Sequence, residues 1–147
     1  MLAEVEFHTG LDDPLAHACK LLRKAVRQGS RVCVATPRPD RLSARLWSQE
    51  AREFPAHARP GSAASAWLRS PVWLVEDFHQ APVDDRPAVW VSLGAAPAVS
   101  LQGCERLVEL VGAAPDEAAA GRARWKHYRE HGLTPVKRYD GTGGLPA

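Results

Sequence analysis

Apolar and polar positions along this chain alternate in two rhythms. From Ala3 to His8 (AEVEFH) every second residue is apolar, which predicts a strand with Ala3, Val5 and Phe7 on one face. Asp12-Asp13-Pro14 then offers an acidic N-cap and a proline for a first helical turn. Leu15, Cys19, Leu22 and Val26 follow at helical spacing, and Gly29 is a natural stop. Arg31–Thr36 (RVCVAT) is short, β-branched and continuous, as a strand covered on both faces should be. Pro39-Asp40 opens a second helix carrying Leu42, Leu46 and Trp47, which frays around Ala51–Phe54. Pro55 to Ser65 has few bulky apolar residues and reads as surface loop.

The second half repeats the strand signal with less helix between. Val72–Val75 (VWLV), Val89–Leu93 (VWVSL) and Arg106–Val111 (RLVELV) are apolar runs of strand length. Ala114-Pro115-Asp116-Glu117 begins a closing helix that runs to about His131-Gly132, and the tail from Gly141 to Ala147 (GTGGLPA) lacks bulk and period, so it is expected to be disordered. Alternating strands and helices with fully apolar late strands predict a single α/β domain over residues 1–140. Its sheet should be open and largely parallel, with helices on both faces, Rossmann-like.

That class of sheet raises the question of a nucleotide. The first strand–helix turn, HTGLDDPL, has one glycine where a dinucleotide fingerprint needs three, and its two carboxylates would repel a phosphate. No G-x-x-x-x-G-K-[ST] occurs, so no nucleotide site of the usual kinds is expected. Metal chemistry is equally thin: His127 and His131 are spaced i, i+4 without a third ligand, which favours a solvated face. Glu76-Asp77 at a strand end could be read as metal-binding carboxylates or a general base, but polar strand ends are usually loop chemistry, and no catalytic set assembles. The three cysteines, Cys19, Cys33 and Cys104, are odd in number and sit among apolar neighbours, so buried free thiols in a reducing compartment are expected. No apolar run approaches the ~20 residues that span a bilayer, and a cytoplasmic location is expected.

Charge changes the picture at one place. The formal net charge is only +2, yet Arg122, Arg124, Lys126, Arg129, Lys137 and Arg138 crowd between Gly121 and Asp140 against Glu130 and Asp140 alone. The rest of the chain is slightly acidic, so the positive field is local and fits an acidic partner of limited size. On a helical wheel Arg122, Lys126 and Arg129 fall on one side, flanked by Trp125 and Tyr128, with Arg124 elsewhere. Three readings are open. The helix is a solvated face with arginine stems over inward rings, a socket for a short acidic peptide with an apolar anchor, or a stacking platform for single-stranded nucleic acid.

The order of segments resembles the chi subunit family of bacterial DNA polymerase III holoenzyme. The resemblance rests on LLRKAVRQGSRVCVAT (21–36), RLSARLW (41–47), EFPAH (53–57), PVWLVEDF (71–78), VWVSLG (89–94), ERLVELV (105–111) and GRARWKHYREHGL (121–133) in combination, over nearly the whole chain. It implies a non-catalytic adaptor without cofactor. Such an adaptor pairs with the psi subunit of the clamp loader and binds the acidic, Pro-Phe-ended tail of single-stranded-DNA-binding protein, so its DNA contact is mainly indirect. By matching position, Arg122, Trp125, Tyr128 and Val111 would form the tail site, with Arg124, Lys126 and Arg129 as helpers. Leu46, Trp47 and Phe54 would meet psi, and the family suggests a helicase as a further partner there. Two departures stand out: Ala118 occupies a position where some relatives are basic, and in Phe54-Pro55-Ala56-His57 the proline is shifted by one. A direct single-stranded nucleic-acid binder is the rival function, and an α/β enzyme built on Glu76, Asp77 or His8 is a third.

Overall fold

Val32–Ala35 and Val72–Val75 are buried at every position, as parallel strands covered on both faces must be. The computed structural model describes residues 3–50, 60, 70–82, 86–98, 100–141 and 145–146. In chain order these give β1 (Glu4–Leu11), α1 (Pro14–Arg27), β2 (Val32–Ala35), α2 (Pro39–Glu50), β3 (Val72–Val75), a 3-10 turn (Phe78–Gln80), β4 (Val89–Leu93), β5 (Arg106–Gly112), α3 (Pro115–Glu130), β6 (Val136–Asp140) and β7 (Leu145–Pro146).

The strands form one sheet in the order β3-β2-β4-β5-β1-β6-β7, parallel throughout except for the β6–β7 pair. Two cores lie on its two sides. One gathers Ala18, Cys19 and Leu22 of α1 and Leu42 and Leu46 of α2 over Val32, Val34, Val91, Val108 and Leu110. The other sets Tyr128, with Trp125 packed alongside, over Val5, Phe7, Leu107 and Val111, and continues through Trp73, Phe78 and Trp90. The chain order explains the split. It steps from β1 across to β2 and β3 through α1 and α2, then returns through β4 and β5 to β6 through α3. Right-handed crossovers in opposite directions must lie on opposite faces.

The expected open, largely parallel sheet with helices on both faces is what forms. Asp13 caps α1 by accepting from the Ala16 N–H at 3.0 Å, as its position before Pro14 suggested. All three thiols are buried and free, and burial pushes those of Cys33 and Cys104 up to about 12. Two strands were not anticipated. β6 (VKRYD) is charged and largely exposed, and it forms because its backbone pairs with the edge of β1 that faces away from β5. Of the tail expected to be disordered, Leu145 and Pro146 pair antiparallel with Asp140 and Tyr139, whereas 142–144 and 147 lie outside the described residues. So does the loop expected over 55–65, Pro60 excepted. No helix among the described residues is long and apolar enough to cross a membrane.

Candidate functional site: the outer flank of the closing helix

The closing helix meets the sheet through Gly121, Arg124 and Tyr128, all buried and spaced three and four apart. Gly121 is what lets it come close. A Cβ at that position would stand 2.6 Å from Val111 Cγ1, so the helix backbone rests directly on the β5 side chain.

Beneath the helix sits Glu109, fully buried on β5. Arg124 Nε donates to its Oε1 at 3.0 Å and the Tyr128 hydroxyl donates to its Oε2 at 2.6 Å. Burial drives the Glu109 carboxyl upward from its usual range, with the Arg124 charge and the Tyr128 hydroxyl opposing it. The Tyr128 hydroxyl is pushed far above its ordinary value, first by burial and then by the neighbouring carboxylate. A lone carboxylate at this depth would be costly, so the helix is pinned to the sheet by ionic contacts.

Arg124 and Tyr128, which the resemblance assigns to the tail site and to its helpers, are thus turned towards the sheet. Both point inward, and Val111 also lies under the helix, 4% exposed. A wheel centred on the charged side could not reveal this, because the buried partner Glu109 stands in an otherwise apolar strand run.

The outer flank is another matter. Arg122, Lys126 and Arg129 are exposed, and Trp125 is half-buried between them and the core. Its ring leans on Phe7 of β1, centroids 4.8 Å apart and tilted by 59°. In the β1–β6 register Phe7 stands beside Lys137, which places a further cation on the sheet face that Trp125 covers. Lys137 is 3.6 Å from Asp140, and Lys126 reaches Glu130 at 3.9 Å, both weak exposed pairs. The flank thus joins a flat aromatic surface to four cations on two elements. The sequence contained Lys137 in its basic run but gave no sign of β6, so its place beside Phe7 was not legible.

The alternative candidates have other occupations. Asp77 caps the 3-10 turn, accepting from the His79 N–H at 3.0 Å, while Gln80 Oε1 accepts from the Glu76 N–H at 2.8 Å. His131 Nδ1 lies 2.7 Å from the His127 carbonyl at the end of α3. Leu46 is 1% exposed and packs in the core on the α1/α2 side of the sheet, so it is a core residue and not the partner contact the resemblance implied. The Trp47 side chain and Phe54 lie outside the described residues.

This sheet order, with a basic aromatic helix closing over β5, accompanies a match to the family model described as DNA polymerase III chi subunit, HolC, over residues 2–136. The chain belongs to the chi family. No individual curated protein matches it. Chi subunits are non-catalytic components of the replicative polymerase, and of the Glu76-Asp77 pair it is the Asp77 carboxylate that caps the 3-10 turn.

Proposed function

We propose that this chain is a bridge within the replication machinery. It captures the acidic C-terminal tail of single-stranded-DNA-binding protein on the outer flank of α3 and joins the clamp loader through psi. One observation carries the reading: Arg122, Lys126 and Arg129 are exposed around Trp125, whose ring is held by Phe7. Carboxylates of an acidic tail meet guanidinium and ammonium groups, and a terminal phenyl ring packs against the indole. Val111 contributes by setting the height of the helix, and Arg124 and Tyr128 by fixing its rotation. The psi contact rests on the resemblance at Trp47 and Phe54.

A labelled acidic peptide ending in Pro-Phe tests the tail site by fluorescence anisotropy. Arg122→Ala and Trp125→Ala should each weaken binding by about tenfold, the scale of one charge-assisted contact or one aromatic anchor. Affinity should also fall with added salt, because the cations are exposed. Binding indifferent to both substitutions would remove the flank from this role. Tighter binding of bare oligonucleotide than of peptide would favour the nucleic-acid reading instead.

A further inference from the structure

The carboxyl ends of β1, β2, β4 and β5 open into a cleft of about 680 Å³ on the side of α3 away from Trp125. It lies where the connections part, since α1 leaves β1 to one face and α3 leaves β5 to the other. In open α/β sheets this crevice is where small ligands bind, and the volume is that of a small-molecule pocket.

Its lining is bipolar. Arg38, just before α2, and Arg41, in its first turns, are exposed cations, and among the described residues neither guanidinium has an ion-pair or hydrogen-bond partner. Arg45, one turn on, is tied to Asp13 at 3.0 Å. From the other side of the sheet α3 contributes Arg124, whose terminal nitrogens have no partner among the described residues once Nε has met Glu109. It is nine-tenths buried. The carboxylates of Asp116 and Glu117, from the first turn of α3, line the same cleft. Gly112 makes room for the latter, because a Cβ there would collide with the Glu117 carboxylate.

From this arrangement we infer that the cleft is a nucleoside monophosphate site of an unconventional kind. The phosphate is held by the guanidinium groups of Arg38, Arg41 and Arg124 in place of a glycine-rich loop. The carboxylates of Asp116 and Glu117 accept from the donor edge of the base, which in guanine offers a ring N–H and an amine side by side. Arginine forks suit phosphate, and a carboxylate suits a paired donor edge. The acidic α1 N-terminus, which excludes a phosphate of the usual kind, is neutralised in part by Arg45.

Isothermal titration of the full chain with guanosine monophosphate tests the assignment, with inorganic phosphate as competitor. Saturable binding should weaken by about tenfold or more in Arg38→Glu/Arg41→Glu, two exposed positions whose reversal should leave the thermal midpoint unchanged. Asp116→Asn/Glu117→Gln should weaken the nucleotide while leaving inhibition by phosphate intact. Absence of saturable heat at millimolar nucleotide, or binding that survives the double charge reversal, overturns the proposal. Inorganic phosphate bound as tightly as the nucleotide also overturns it, because the carboxylates would then contribute nothing.

Discussion

Phe7 and Trp125 meet at 4.8 Å between ring centroids, one from β1, the third strand from the β7 edge of the sheet, and one from the helix above it. Phe7 is 1% exposed and also touches Tyr128 edge-on at 6.2 Å, so it is the buried foot on which the indole stands. Phe7→Leu keeps an apolar side chain but removes the flat support. Peptide affinity should drop several-fold, a loss of about 1 kcal/mol for one aromatic pair, with far-UV circular dichroism unchanged. Unaltered affinity would show that Trp125 does not need Phe7 to hold its place.

Glu109 and Arg124 make a second prediction, about stability. Arg124→Ala leaves a buried carboxylate without its cation and should cost about 3–5 kcal/mol in urea unfolding. Tyr128→Phe removes one hydrogen bond to a charged acceptor and should cost about 1.5–3 kcal/mol. The triple change Glu109→Leu, Arg124→Met, Tyr128→Phe should recover much of the loss, since an apolar trio asks for no pairing. A triple variant as unstable as Arg124→Ala would refute the account.

Sequence patterning carried the fold further than the site. Continuous runs such as VCVA and VWLV could hardly be anything but two-sided parallel strands, and Leu15, Cys19, Leu22 and Val26 described the α1 stripe that packs on the sheet. β6 escaped because VKRYD has no apolar period. It is a strand only by virtue of the backbone groups on β1 that need partners. The same limit blurred the site. Helical spacing grouped Arg122, Lys126 and Arg129 correctly, but it could not tell that Tyr128 faces a carboxylate from another element rather than solvent. Charged partners buried across a tertiary contact leave no local trace.

The other side of β1 carries a pH-sensitive chain. His8 Nε2 lies 2.8 Å from Glu6 Oε2, and His8 Nδ1 lies 2.8 Å from His17 Nε2. Burial, then the charges of His8 and Lys20, hold His17 down to about 4 from 6.5. Burial alone would raise Glu6, but hydrogen bonds from His8 and Arg106 and their charges outweigh it and bring Glu6 from 4.5 to about 2. In both cases the unfolded chain takes up the proton first, so stability is lost as pH falls. The His17 contribution should be complete above pH 6.5 and disappear towards pH 4. That of Glu6 should be complete above 4.5 and disappear towards 2. Urea midpoints measured from pH 8 to pH 3 should flatten in the upper window for His17→Gln and in the lower one for Glu6→Gln. An unchanged slope in either variant would show that the group does not contribute.

The contact of Gly121 on Val111 couples stability to the outer flank. Alanine is the better helix former by about 1 kcal/mol, so on propensity alone Gly121→Ala should stabilise α3. Its methyl would instead stand only 2.6 Å from Val111 Cγ1, and a β-branched side chain in a strand has few ways to yield. The helix must lift, which should cost about 1–3 kcal/mol overall and carry Trp125 away from Phe7. Gly121→Ala should therefore lower both the thermal midpoint and the affinity for the acidic peptide. Val111→Ala added to it removes the colliding methyls, and the double variant should regain peptide affinity although each single change is harmful. Additive losses in the double variant would mean that Val111 does not set the height of the helix.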